Sequence, residues 1–411
     1  MQNIKVIFSI LIFLIFLHSC SNKASNLETR ASESLLFNDD VAFLKDYTDI
    51  IVLTDKSGES KIAVSPALQG RVMTSTTRGD RPSFGWINRE LFESGDSLEH
   101  MNPFGGEDRI WLGPEGGQFS IYFEKEKDFN LDNWFVPSLL DLEPFEIIFQ
   151  NQGEIIFSKD AELTNYSGTN LHFTINRKVR ILEQEEAVEN LKINIPENVD
   201  VVAYESVNSL KNTGEEAWKK ESGLLSIWIL GMFNPSEKTT VIIPFNETGE
   251  KNIPIVNDDY FGKVPSENLK VKEKVIYFKG DGEYRSKIGL SWARAKDILG
   301  SYNTEDNSLT VVQYNKPAQP QDYVNSAWEI QQEPYNGDVI NAYNDGPPSP
   351  GAKPLGPFYE LETSSPAAEL TPEDSIIHTH RTFHFTGGRE QTDELLNQLF
   401  KISIGEIDKV F

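Results

Sequence analysis

The sequence predicts an all-β fold of antiparallel strands in one large domain, with a short C-terminal helix. Three observations predict it. Short apolar or alternating runs recur along most of the chain, with no strand–helix–strand rhythm and no internal repeat. Aromatic residues make up 11% of the 411 residues, alongside 28 glycines and 21 prolines, a composition of turn-rich globular proteins rather than disordered ones. No Pro- or Ser-rich linker interrupts residues 36–411, and the one loop-like tract, Gly346-Pro-Pro-Ser-Pro-Gly-Ala-Lys-Pro354, reads as a surface loop.

The chain begins with one basic residue, Lys5, and the apolar run Val6 to Leu17, which is short for a spanning helix of about 20 residues. Leu17-His18-Ser19-Cys20 follows and looks like a bacterial lipobox, although His18 is unusual there. Residues 1–19 are therefore expected to be a signal peptide, Cys20 the lipidated new N-terminus, and residues 20–35 a polar tether to the domain at 36–411. Membrane attachment is expected through the lipid at Cys20, on the outer membrane of a Gram-negative bacterium, with the periplasmic and surface faces both open. Removal of residues 1–19 leaves 392 residues, 63 acidic against 37 basic, a net charge of −26. Such a charge excludes nucleic acid as a partner. Cys20 is the only cysteine, so disulfides, thiolate nucleophiles and cysteine metal sites are excluded as well.

Leu36 to Lys45 reads as a short helix. Ile50–Leu53 and Lys61–Val64 flank Asp55-Lys-Ser-Gly58, a hairpin signature. Gln118–Phe123 alternates, with Phe119, Ile121 and Phe123 on one face, and in Leu171–Leu182 the residues Phe173, Ile175, Val179 and Ile181 share a face. Gly223–Phe233 is continuously apolar and reads as a strand buried on both sides. Strands are also expected over Thr239–Phe245, Val275–Phe278 and Leu309–Tyr314. Thr392 is read as the N-cap of a closing helix, with Leu395, Leu396, Leu399 and Phe400 as its apolar stripe and an end near Gly405.

Four segments concentrate side chains able to do chemistry. In Asn102-Pro-Phe-Gly-Gly-Glu-Asp-Arg-Ile-Trp-Leu-Gly-Pro-Glu-Gly-Gly117, two Gly-Gly pairs bracket Glu107, Asp108, Arg109, Trp111 and Glu115. Glycines let a backbone approach a ligand closely, carboxylates and a guanidinium pair with sugar hydroxyls or acids, and a Trp face stacks on a pyranose. A tight turn with a structural Glu–Arg pair explains the composition equally well. Gly356-Pro-Phe-Tyr-Glu-Leu-Glu-Thr-Ser-Ser-Pro366 places Glu360 and Glu362 on one strand face, and His378, His380 and His384 share a parity too. Histidines so spaced serve as a general acid or, more weakly, as metal ligands, or else they simply hydrogen-bond on an edge strand. The segment 328–346 contributes Glu329, Glu333 and Tyr335 ahead of an ordinary Asn344-Asp-Gly turn. Ser65-Pro-Ala-Leu-Gln-Gly-Arg-Val-Met73, with Trp86-Ile-Asn88, sets Arg71 beside a glycine. No phosphate loop, dinucleotide fingerprint or nucleophile elbow is present, so no cofactor is expected.

Pro66-Ala-Leu-Gln-Gly-Arg-Val72, Asn208-Ser-Leu-Lys-Asn-Thr-Gly214 and Phe358-Tyr-Glu-Leu-Glu-Thr-Ser-Ser-Pro366 together are similar to the galactose mutarotase-like, or aldose 1-epimerase-like, superfamily. The whole of 36–411 resembles a family of Bacteroidota lipoproteins of unknown function. The superfamily resemblance implies a large antiparallel β-supersandwich and a carbohydrate ligand. Aldose epimerases pair a Glu base with a mid-chain His acid, where only His172 stands here, so no acid carries over. The expected site takes Glu107, His378 and His380 as catalytic residues. Arg71, Asn102, Arg109, Trp111, Glu115, Glu329 and Glu360 are expected as ligand contacts. The expected function is sugar binding, with epimerisation or anomerisation if it is an enzyme. The alternative is a non-catalytic glycan-binding or scaffold lipoprotein of a glycan-uptake system.

Overall fold

The computed structural model describes residues 36–250 and 252–411; the expected signal peptide, Cys20 and tether lie outside them. Strands β1 (Ile51–Thr54), β2 (Lys61–Ser65) and β3 (Arg71–Thr76) form a three-stranded meander. A five-stranded sheet runs in the order β13 (Ser286–Leu290), β16 (Ile340–Asn344), β17 (Tyr359–Ser364), β9 (Ser226–Phe233) and β4 (Arg109–Gly113). The largest sheet has ten strands. One half orders as β11 (Leu269–Lys272), β12 (Val275–Lys279), β10 (Thr239–Pro244), β14 (Ile298–Asn303) and β15 (Ser308–Tyr314). The other half continues through β18 (Ser375–Thr386), β8 (Asp200–Asn212), β7 (Asn170–Leu182), β6 (Glu154–Thr164) and β5 (Glu146–Gln150). The strand pairings in all three sheets are antiparallel.

The period of two explains which face of each strand is inside. On β7, Leu171, Phe173, Ile175, Val179 and Ile181 are buried with Arg177 among them, while the even-numbered residues from Asn170 to Arg180 reach solvent. Their neighbours Ile155 and Phe157 on β6 and Val202, Tyr204 and Leu210 on β8 join them in one core. Each such side chain contributes about 1.5–3 kcal/mol on burial. Strand β9 is buried along its whole length, as its unbroken apolar run predicts. Its odd-numbered residues face the ten-stranded sheet, where Phe233 meets His384. Its even-numbered residues face the other way, where Trp228 meets Trp111. Helix α1 (Phe37–Lys45) buries Phe37, Val41 and Leu44, carries acids in its first turn and Lys45 in its last, and so suits the helix dipole. The hairpin over 55–58 forms around Gly58 at φ +75°, with β1 and β2 paired on either side.

Three expectations are corrected. Gln118–Phe123 alternates but forms no strand. Its backbone turns on itself and reaches across loops, Ser120 N to Gly117 O at 3.0 Å and Tyr166 N to Ser120 O at 2.7 Å, and only Phe123 bridges to Trp134. Residues 120–123 are all buried within this loop, so the alternation there marks no strand face. The closing helix spans Arg389–Phe400 with Gly388 as N-cap. Thr392 lies one turn inside and bonds its hydroxyl back to the Gly388 and Arg389 carbonyls, both at 3.2 Å. That helix ends at Lys401, and Gly405 sits in a second short helix, Ile404–Ile407, started by a Ser403–Glu406 capping box. Asp345 is no exposed turn residue. Its carboxylate is buried and accepts from the Tyr343 hydroxyl at 2.7 Å and Gly356 N at 2.9 Å.

The segment ahead of β3 shows how tightly the layers fit. A turn over Pro66–Leu68 passes into Gln69 and Gly70, both in the left-handed region, and a Cβ on Gly70 would lie 2.5 Å from the Phe157 ring. Phe157 is fully buried and has nowhere to move. Gly70→Ala combines that overlap with a strained φ, so we expect it to lower the unfolding free energy by about 2–4 kcal/mol. A urea midpoint equal to wild type would contradict this account.

Candidate functional site

The two faces of the five-stranded sheet carry different chemistry, and the split starts just before β4. Gly105 and Gly106 have φ of +97° and +110°, and Cβ atoms there would strike the Trp86 carbonyl at 2.0 Å and the Arg71 side chain at 2.6 Å. After this kink, Glu107 N and Asp108 N both approach the Val72 carbonyl, at 2.7 and 3.4 Å, so two residues oppose one as in a bulge. The bulge turns both carboxylates between the sheets. From Arg109 onward, alternation resumes and odd-numbered side chains of β4 point away from the ten-stranded sheet.

Between the sheets, Glu107 accepts from the Tyr204 hydroxyl at 2.9 Å, and the Ser75 hydroxyl lies 2.8 and 3.0 Å from its two oxygens. His384 Nε2 is 2.9 Å from the same carboxylate, and its Nδ1 is 2.9 Å from Thr310. Asp108 accepts from Arg177 at 2.6 Å, and Arg177 also donates to Asn208 at 2.6 Å and Gly70 O at 3.1 Å. His378 Nε2 and His380 Nδ1 each lie 2.8 Å from the Thr363 hydroxyl on β17, which bridges the two rings. These groups are all buried. Strand β18 is flanked by β15 and β8 and is therefore central, not an edge. The three histidines do not converge: His378 and His380 share Thr363, whereas His384 belongs to Glu107. Among the described residues no three His, Cys, Asp or Glu side chains are placed to hold a metal ion.

The opposite face of the same sheet brings together a second set. The register aligns Arg109 with Leu230, Leu230 with Glu362, and Glu362 with Asn341, and it aligns Glu360 with Tyr343 and Tyr343 with Lys287. Arg109 donates to Glu360 at 3.3 Å and stacks over Trp111 at 4.4 Å. Glu362 accepts from Trp228 Nε1 and Lys287 Nζ, both at 2.9 Å. Trp111 meets Trp228 edge-on at 5.5 Å, while Trp134 stacks with Trp328 at 5.8 Å. Asp338 accepts from Tyr260 at 2.6 Å, and Asn341 donates to the Tyr260 hydroxyl at 2.9 Å. Burial, and then Glu362, pushes the Glu360 carboxyl up to about 8 despite Arg109 and Lys287, so it is largely protonated at neutral pH. Burial also raises Glu115, opposed by Lys287. Four buried polar atoms here, Arg109 Nε, Trp111 Nε1, Ser226 Oγ and Glu362 Oε1, have no hydrogen-bond partner among the described residues.

Of the expected site residues, the structure thus gathers Arg109, Trp111 and Glu360 on the outer face, with half-buried Glu115 near Lys287 and Glu362 and its backbone N donating to Ser326 Oγ at 3.1 Å. It places Glu107, His378, His380 and His384 on the other side of the sheet. Arg71 is buried against Gly105 O and Gln69, and Asn102 is committed to Asp141 at 2.7 Å. Glu329 is exposed on a loop, and His172 sits on β7 beside Glu162. Both Gly-Gly pairs pack against protein, since Cβ atoms on Gly116 and Gly117 would hit the Ala327 carbonyl and the Gln331 side chain. Sequence reasoning missed Lys287, Trp228, Asn341, Asp338 and Tyr260. Only Trp228 left a trace, as the aromatic in an aliphatic strand two positions from Leu230. A surface hollow lined by Asp55, Glu59, Arg78, Gln184 and Asp200 holds none of the expected residues.

The chain belongs to the DUF6786 family of unknown function, which spans residues 35–411. No curated protein matches it. Among solved structures, the Slr1438 protein from Synechocystis sp. PCC 6803 is similar over 83% of this chain and 98% of its own, at 13% identity and a TM-score of 0.49. A galactose mutarotase related enzyme from Lactobacillus acidophilus is similar over 83% and 97%, at 10% identity and a TM-score of 0.44. A galactose mutarotase-like protein from Lactobacillus casei ATCC 334 is similar over 82% and 99%, at 8% identity and a TM-score of 0.42. The last two names are of the group that the sequence resembles.

The inner histidines make the fold acid-sensitive. Burial pushes His378 down to about 3, with His380 adding to it, and pushes His380 down to about 4. In the unfolded chain both take up a proton near 6.5, so below that pH the unfolded state binds more protons and stability falls until the folded-state values are reached. The buried carboxylates Asp141, Asp338 and Glu360 are raised and pull the other way. The comparison is therefore between wild type and His378→Asn/His380→Asn. We expect the urea midpoint of wild type to fall more steeply between about pH 6.5 and 4. Parallel curves would contradict the assignment.

Proposed function

We propose that this member of the DUF6786 family is an envelope-anchored lipoprotein that binds a carbohydrate on the outer face of the five-stranded sheet. The observation that carries the reading is the set of unpartnered buried atoms on that face, Arg109 Nε, Trp111 Nε1, Ser226 Oγ and Glu362 Oε1, among indole and phenol rings. Sugar hydroxyls both donate and accept, so they answer a mixed set of donors and acceptors, while the C–H face of a pyranose answers the rings. Glu360, its carboxyl raised by burial, and Glu362, which accepts from Lys287 and Trp228, add two carboxyl groups to the same strand face. The anchoring rests on Leu17-His18-Ser19-Cys20, and the outer membrane is its proposed location.

Binding without turnover is favoured over epimerisation by Glu107 and His380. That pair stands between the sheets, with Glu107 already engaged by Ser75, Tyr204 and His384. A role as the binding component of a glycan-uptake system follows.

The test is calorimetric titration of the purified protein against a broad monosaccharide and oligosaccharide panel. We expect Trp328→Ala, at the rim of the face, to weaken sugar binding by about tenfold or more. His172→Ala, on the far sheet, should leave it unchanged, with melting curves as the folding control. Failure of wild type to bind any member of the panel would overturn the reading, as would equal losses in both variants.

A further inference from the structure

The two outer edges of the ten-stranded sheet are finished differently. At one end stands β11, where exposed Val271 lies between Lys270 and Lys272. Lysines on an edge strand discourage pairing with another chain. The C-terminal Phe411 adds to this guard, with Lys270 and Lys279 each 5.8 Å from the centre of its ring. At the other end stands β5, Glu146-Ile-Ile-Phe-Gln150, which pairs with β6 alone among the described residues. All five of its residues are exposed, and none is a lysine or an arginine. Ile147, Ile148 and Phe149, in succession, are 38, 55 and 46% exposed.

Single apolar residues on a surface are ordinary, but three in a row on an open sheet edge mark an interaction site. Two flanking acids are already paired, Glu143 with Lys159 at 2.6 Å and Glu154 with Lys178 at 3.9 Å. Glu146 is the one acid that the strand itself presents.

We propose that β5 is the contact of a two-fold dimer, with a second copy of this chain laid antiparallel against it about Ile148. The order of residues in the strand favours a copy over an unrelated partner. With the axis at Ile148, that residue meets Ile148 of the second copy, Ile147 meets Phe149, and Glu146 meets Gln150. Apolar side chains then oppose apolar ones, no acid opposes an acid, and each Gln amide donates to a Glu carboxylate. A chain of net charge −25 repels its own copy, so a self-contact without opposed acids is the kind it tolerates.

The same strand limits the assembly to two copies. Ile147 pairs with Phe157 and Phe149 with Ile156, so Ile148 has no partner on β6 and the strand bends there. The contact is therefore made by side chains more than by a continuous ladder, and the guarded β11 gives this sheet no second open edge. Three apolar side chains per copy fall well short of the about 800 Å² per partner of a stable interface. The dimer is accordingly weak in solution, with a dissociation constant of roughly 0.1–1 mM. Anchoring of both copies on one membrane, as proposed above, raises their effective concentration.

The experiment is oxidative cross-linking of the full chain at about 0.1 mM, near the expected dissociation constant. Ile148→Cys sets two thiols opposite each other across the axis, within disulfide reach. Val271→Cys, at a position 41% exposed on the guarded edge, is the control, and wild type with its Cys20 gives the background. We expect Ile148→Cys to form dimers at least about tenfold faster than Val271→Cys. Adding Ile147→Lys should bring that rate down to the control. On wild type, sedimentation equilibrium between about 0.01 and 1 mM should show the mass rising towards two chains, and Phe149→Lys should hold it at one. Melting curves identify a variant that fails to fold, and the wild-type sedimentation series then decides alone. Equal cross-linking rates, a wild type that stays monomeric throughout, or species larger than two chains would each overturn the proposal. Sugar binding enters neither measurement, so these outcomes are separate from those of the carbohydrate titration.

Discussion

Two adjacent carboxylates turned inward by one bulge hold the three sheets together. Glu107 reaches Ser75 on β3, Tyr204 on β8 and His384 on β18, while Asp108 reaches Arg177 on β7, all within 3.0 Å. Buried charges of this kind are costly to desolvate and become tolerable only when several donors meet them. Three groups meet Glu107 and the Arg177 guanidinium meets Asp108, so removal of Arg177 would leave the Asp108 charge stranded at a cost of about 3–5 kcal/mol. The same bulge sets the phase of β4. Had Glu107 and Asp108 alternated, Arg109 would point between the sheets and the outer face would lose its cation.

Strand β17 divides the labour in the same way, residue by residue. Tyr359 and Thr363 look inward, to Ser301 at 2.7 Å and to the His378 and His380 rings at 2.8 Å. Glu360 and Glu362 look outward to Arg109 and to Lys287 and Trp228. The inner contacts fix the strand, and a fixed strand holds the outer carboxyls at a set spacing, which is what binding by oriented polar groups requires. The inner histidines are thus part of the frame. The shared parity of His378 and His380 was informative, since it brings both rings across the sheets to the Thr363 hydroxyl.

How much of this could be read from residues alone depends on the range of the interaction. The alternation of 171–182, the hairpin at 55–58 and the doubly buried 223–233 follow from local pattern, and each is present. The common face of Glu360 and Glu362 is likewise a property of one strand. Which face of β17 opposes the histidines is settled by pairing with strands more than a hundred residues away in sequence, as in β17 with β9 and β18 with β8. No local pattern encodes that. Lys287 and Asn341 sit in short strands whose roles emerge only from the order of the five-stranded sheet. The bulge was half legible, because Gly105-Gly106 ahead of two acids announces a kink without saying which way the acids turn. The alternating 118–123 misled because Ser120, Ile121, Tyr122 and Phe123 are all buried in a loop packed against Trp134 and Trp328, so the alternation of side-chain polarity marks no strand face.

The division of β17 also bears on how such a chain can diverge. Its floor is set by strict alternation, so a one-residue shift of register along 359–364 would carry Glu360 and Glu362 between the sheets and bring Tyr359 and Thr363 out. Lineages can hardly explore that. The rim, by contrast, comes from loops that carry Glu115, Trp134, Tyr260 and Trp328, where length and composition change cheaply. Relatives with this sheet would therefore be expected to share the charged floor and to differ around its edge, each rim presenting its own side chains over a common carboxylate-and-guanidinium base.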